Sequence, residues 1–119
     1  MEYEKLLIGV GATRAGLKPV LPRVLRGVSG VEHRFNMLFT DGARQYAFDI
    51  YESIRDFEVV KSYLKKFDTG ASVFLVCPTE NVSWEARSLA VGYDMKILSP
   101  ESIPVFFALE PMSPQRSLD

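Results

Sequence analysis

Few side chains in this 119-residue chain are of types that could do chemistry, and their spacing narrows what that chemistry could be. His33 is the sole histidine and Cys77 the sole cysteine, so one copy can build neither a disulfide nor a Cys/His zinc cluster. Cys77 ends the run Ser72-Val-Phe-Leu-Val-Cys77 and reads as a small hydrophobe in a buried strand, without the positive neighbours that generate thiolate. His33 alternates with Phe35 and Phe39, and no serine or cysteine nucleophile can be tied to it by spacing. A hydrogen-bonded structural histidine is expected rather than a general base. Asp49, taken alone, reads as a solvated or hydrogen-bonded strand carboxylate. The string Gly9-Val-Gly11-Ala-Thr-Arg14 lies inside a helical pattern with no strand before it, which excludes a nucleotide-binding loop. Lys61, Lys65 and Lys66 gather at a helix end, where the expected role is a solvated terminus and the alternative a phosphate-contacting edge.

The totals bound the partners. With 47% hydrophobic and 24% charged residues the chain reads as one globular domain over residues 1–110, followed by a polar, proline-containing and mobile tail over 111–119. No apolar run approaches the roughly eighteen residues that cross a bilayer, and the start Met1-Glu-Tyr-Glu-Lys5 is acidic rather than a basic leader. The expectation is a soluble, cytoplasmic protein with no membrane partner. A formal charge of −1 argues against bulk electrostatic binding to nucleic acid, yet residues 1–36 hold six basic side chains against three acidic ones, a local +3.

The elements that must position these groups follow from periodicity. Tyr3, Leu6, Leu7 and Val10 recur at helical spacing, with Gly16 ending the helix; Gly9 and Gly11 within it suggest close approach of another backbone. Pro19 to Arg26 is extended, with Pro22 confining it to an edge or an irregular strand. Val31 to Thr40 and Gln45 to Glu52 form a hairpin through Asp41-Gly42-Ala43. Alternation places His33, Phe35, Met37 and Phe39 on one side and Arg34, Asn36 and Leu38 on the other. On the second strand Tyr46, Phe48 and Ile50 share the apolar side, opposite Asp49 and Tyr51. A helix from Ile54 to Phe67 is read as buried along Phe57, Val60, Tyr63, Leu64 and Phe67 and closed by Gly70. Val73 to Val76 is a strand buried on both faces. Ser83 caps a helix to about Tyr93, buried along Trp84, Leu89 and Ala90; Met95 to Leu98 is a strand, and a last helix begins near Ser99-Pro100-Glu101. The segment Ile103-Pro-Val-Phe-Phe-Ala-Leu109 either docks on its own sheet or forms a homodimer contact.

This order, with Gly27-Val-Ser-Gly-Val-Glu-His-Arg-Phe-Asn36, Phe48-Asp-Ile50, Lys66-Phe-Asp68, Leu75-Val76 and Ala86 to Leu98, resembles the restriction-endonuclease-like superfamily and its Mrr-like branch, over nearly the whole chain. The resemblance implies an α/β three-layer domain, a mixed central sheet flanked by helices, in the order αβββαβαβ with a C-terminal helix. Active members hold a divalent metal, magnesium or manganese, between an acid on one hairpin strand and an acid-x-lysine triplet on the next. The matching positions are Asn36 and Asp49-Ile50-Tyr51. Asn36 brings no charge to a metal, and Tyr51 cannot replace a lysine cation, which leaves Asp49 as the one metal-ligand candidate. Glu52, or Glu2, Glu4 or Glu85 from a helix, could bring a replacement carboxylate.

The function expected first is a noncatalytic or nearly inactive nuclease-fold domain. It would bind nucleic acid, or a partner that processes it, through the Asn36, Asp49 and Tyr51 face, with Arg23, Arg26 and Arg34 nearby and Lys61 and Lys65 as further phosphate contacts. The alternatives are a magnesium- or manganese-dependent endonuclease with a rearranged site, and a stand-alone dimerisation or adaptor domain that uses Phe106 and Phe107.

Overall fold

The computed structural model describes residues 1–109, so the tail expected over 111–119 lies outside the described residues. In chain order the elements are α1 (Glu2–Arg14), β1 (Lys18–Pro19), β2 (Val24–Arg26), β3 (Glu32–Arg34), β4 (Met37–Thr40), β5 (Gln45–Ile50), α2 (Asp56–Thr69), β6 (Ser72–Val76), α3 (Trp84–Gly92), β7 (Lys96–Leu98) and α4 (Ile103–Leu109). Five strands form one sheet in the order β1-β4-β5-β6-β7. The first two pairings are antiparallel and the last two parallel, as expected where a meander is followed by helical crossovers. The class is therefore α/β with a mixed sheet.

Strand alternation divides the interior into two cores. Tyr46, Phe48 and Ile50 of β5 face α1 and α4, where Ile8, Ala12, Ile103, Phe106 and Phe107 are buried against them. Ala47 on the same strand faces α2 and α3 and is buried with Leu38, Val59, Leu75, Ala86 and Ala90. The segment Ile103 to Leu109 thus docks on its own sheet. Phe106 and Phe107 are buried in that core. Gly11 is buried directly beneath the Phe107 ring, so the close approach that its missing side chain allows is to an aromatic ring rather than to a backbone.

The hairpin follows the expected pairing, Thr40↔Gln45 to Met37↔Phe48, and Asp41 closes its turn by accepting the Ala43 and Arg44 amides at 2.9 and 2.7 Å. The single strand expected from Val31 to Thr40 is instead broken at Phe35-Asn36. Its first half, β3, leaves the main sheet and pairs with β2 as a separate ribbon. Opposite the break lies Pro22, which has no N–H to give to a ladder, so the pairing lapses at Leu21-Pro22, between the Val20–Leu38 and Arg23–Phe35 backbone bonds. The break shifts the alternation by one residue. Phe35 parts from Phe39 and is buried with Leu38 on the α2 side, a correction to the expected partition of faces.

Both central helices depart in part from the faces that hydrophobicity suggests, although Tyr63, Leu89 and Ala90 pack on the core as expected. In α2 the buried positions are Val59 and Ser62, while Phe67 is 76% exposed and Phe57 and Leu64 are also exposed. In α3 the Ser83 hydroxyl accepts the Ala86 amide at 3.1 Å, as an N-cap should, but Trp84 is 76% exposed and Ala86 and Ala90 carry the contact.

Candidate functional site

Asp49 sits near the C-terminal end of β5, opposite Leu75 of β6, and is packed on the α2 side, where it is 3% exposed. A carboxylate so placed needs partners for both oxygens, and α2 supplies them from one face. Residues three apart on a helix stack along the same side, and Ser62 and Lys65 have that spacing. The Ser62 hydroxyl donates to Asp49 Oδ2 at 2.7 Å, and the Lys65 ammonium lies 3.1 Å from Oδ1 and 3.2 Å from Oδ2. Lys65 also donates to the Arg34 carbonyl at 2.6 Å and stands 4.9 Å over the Phe35 ring, so its own cation is well satisfied. The break at Phe35-Asn36 is what brings that carbonyl and that ring to the lysine.

Tyr51 completes the cluster. Its hydroxyl lies 3.1 Å from Ser62 Oγ. Because the serine proton goes to Asp49, the tyrosine is the donor, giving a chain from Tyr51 through Ser62 to Asp49. Burial, and then the negative charge of Asp49, push the Tyr51 phenol up to about 12. Asn36 lies in the break just before β4, with its Oδ1 accepting the Ile50 amide at 2.6 Å, in place of a ladder carbonyl. Asp49 and Tyr51 are thus brought together through Ser62, whereas the Asn36 oxygen is turned to the backbone.

This donor set does not fit a divalent cation. One Asp49 oxygen takes a hydroxyl and both lie against an ammonium, and the Asn36 oxygen is occupied by an amide. Glu4 lies 3.0 Å from the Met1 ammonium, which together with its hydrogen bonding holds its carboxyl below the usual range, and Glu52 and Glu85 are exposed. Among the described residues no group of three or more His, Cys, Asp or Glu side chains could hold a metal ion.

A second polar cluster ties the β2/β3 ribbon to the end of α2. Asp68 Oδ2 accepts Ser29 Oγ at 2.6 Å and lies 2.8 Å from His33 Nε2, while Oδ1 accepts the Ser29 amide at 3.0 Å. These bonds, led by those from Ser29 and then His33, hold the Asp68 carboxyl below its ordinary range. Serine and histidine both address the carboxylate, and Ser29 Oγ accepts the Val31 amide at 3.2 Å. A nucleophilic triad requires the serine to address the imidazole. The arrangement is an anchor, as expected of His33, and Gly27 leaves room for it, since a side chain there would run into the Asp68 carboxylate.

The anchored ribbon carries the arginines. Its register sets Arg26 opposite Glu32 and Arg34 opposite Val24, so Arg26 and Arg34 project from one side, away from Leu25 and His33. Arg23, Arg26 and Arg34 are exposed, as is Lys61 on α2. Lys65, unlike Lys61, is largely buried and paired with Asp49. Ser62, Ser29 and Asp68 are site residues that the sequence reading passed over. The three-residue spacing of Ser62 and Lys65, on the helix that crosses directly after the Asp49 strand, was the available signal.

Compared with protein-family models, with curated proteins and with solved structures, the chain shows no match.

Proposed function

We propose that this chain is a noncatalytic domain on the restriction-endonuclease-like plan that binds nucleic acid through its β2/β3 ribbon. Supporting the ancestry are the element order, an antiparallel meander passing into parallel crossovers, and the placement of Asn36 just before β4 and of Asp49-Ile50-Tyr51 at the end of β5, side by side across the hairpin. The observation that carries the loss of catalysis is the Lys65 ammonium at 3.1 Å from Asp49 Oδ1. A lysine has returned to the carboxylate from α2, but as its counter-ion, in the space where a metal would need to approach.

Binding is assigned to the ribbon because its charge is not consumed there. Arg23, Arg26 and Arg34 against Glu32 leave a net +2, and guanidinium groups suit phosphate oxygens. The face of Asp49 and Tyr51 is itself closed by α2, so it positions the ribbon, through Arg34 and Phe35, rather than touching the ligand.

The test is fluorescence anisotropy with labelled single- and double-stranded DNA and RNA at low salt. The expected result is binding that weakens with salt at a log–log slope of about −2 to −3 and is lost in the Arg26→Ala/Arg34→Ala variant. Absence of binding to every probe, or binding indifferent to those arginines, would overturn the assignment.

A further inference from the structure

The helix α1 is apolar on more sides than its own core uses. Ile8, Gly11 and Ala12 face the sheet and α4, yet Leu6 is 63% and Val10 44% exposed on the opposite side. Leu6 and Val10 form a ridge, and a groove runs along it, lined by Leu6, Leu7, Val10, Pro104, Phe107 and Ala108 between α1 and α4. Helical residues four apart lie one above the other, so Glu2, Leu6, Val10 and Arg14 make a single row with an acid at its start, a base at its end and two exposed apolar side chains between them.

That row is complementary to itself reversed. We propose that α1 is the interface of a symmetric homodimer in which two copies of the helix cross antiparallel. The two-fold axis passes between Leu6 and Val10, and each copy's ridge enters the groove between α1 and α4 of the other. A closed two-fold contact sets residue i against j and j against i. Leu6 then meets Val10 of the partner subunit, and Glu2 meets Arg14 of the partner subunit at both ends. A parallel arrangement would set Glu2 against glutamate and Arg14 against arginine, so charge as well as shape selects the antiparallel one. Gly9, beside the ridge, has only a methionine methyl within reach of an added side chain, which lets the partner helix come close. The surface lies across the sheet from the ribbon, so this dimer does not depend on the nucleic-acid reading.

Sedimentation velocity on the full chain across the micromolar range tests it. The wild type is expected to sediment as a dimer at the upper end, and Leu6→Asp as a monomer with an unchanged circular dichroism spectrum. Glu2→Arg and Arg14→Glu are each expected to weaken self-association at least tenfold. The double variant Glu2→Arg/Arg14→Glu should recover it, as should an equimolar mixture of the two single variants, since both restore opposite charges at both ends. A monomeric wild type overturns the proposal. So does a dimer insensitive to Leu6→Asp, or one that the paired charge swap fails to rescue. Val105→Asp on the exposed side of α4, away from the ridge, serves as the control, and a dimer dissociated by that change and not by Leu6→Asp would also refute it.

Discussion

Lys65 reaches from α2 to Asp49 on β5 and holds the carboxylate from 3.1 Å, with 13% and 4% of the two side chains accessible. A pair so nearly removed from water is sensitive to the loss of one member. Lys65→Met leaves a buried carboxylate without its cation and is expected to cost about 3 kcal/mol, read by urea denaturation. The double variant Asp49→Leu/Lys65→Met removes both charges and should be markedly more stable than Lys65→Met alone. If both variants unfold at the same urea concentration, the pair is not what couples α2 to the sheet.

Ser62 relays between Tyr51 and Asp49, so Ser62→Ala withdraws a buried donor from the carboxylate and an acceptor from the phenol. The expected loss is about 1 to 3 kcal/mol, above that of an ordinary surface serine, by the same denaturation assay.

Tyr51 gives a pH signature. Its phenol is raised to about 12 in the fold, against about 10 for an unfolded tyrosine. A raised value means that the native state keeps its proton while the unfolded chain loses it. The stabilisation is therefore complete below about 10 and disappears as pH rises towards 12. Spectrophotometric titration should show one late-ionising tyrosine that Tyr51→Phe abolishes. Tyr46 is raised as well, by burial and Asp41, so the difference between wild type and variant is the quantity to read.

The ribbon anchor responds to acid. Asp68 is held below its ordinary range, so its contribution is present above that range and is lost as pH falls through the depressed value. Hydrogen exchange at acidic pH should show the β2 and β3 amides losing protection before those of β5 and β6. Asp68→Asn should produce the same order at neutral pH. Simultaneous loss across both sheets would mean that the ribbon is not separately anchored.

The framework was legible because its signals are local. The Asp41-Gly42 turn, the unbroken apolar run of β6, the glycine closing α2 and the Ser83 cap each name their element without knowledge of the rest. The site was not legible, because it reverses the rule by which buried faces are read. Ser62 and Lys65 look like solvent positions on α2, and Phe57, Leu64 and Phe67 look like core. A carboxylate on the central strand inverts that assignment by requiring polar partners on the helix above it. The break at Phe35-Asn36 was hidden for a related reason. Continuous β propensity from Val31 to Thr40 gives no sign that the opposing strand lacks an amide at Pro22. A one-residue shift then moves Phe35 to the other core.

In the proposed function Asp49 serves as the partner of Lys65 and not as a metal ligand. The measurement that meets this most directly is incubation of end-labelled duplex DNA with the protein and manganese, resolved on native and denaturing gels. The expected outcome is a shifted complex with every strand intact. Strand cleavage that disappears with Asp49→Ala would contradict it.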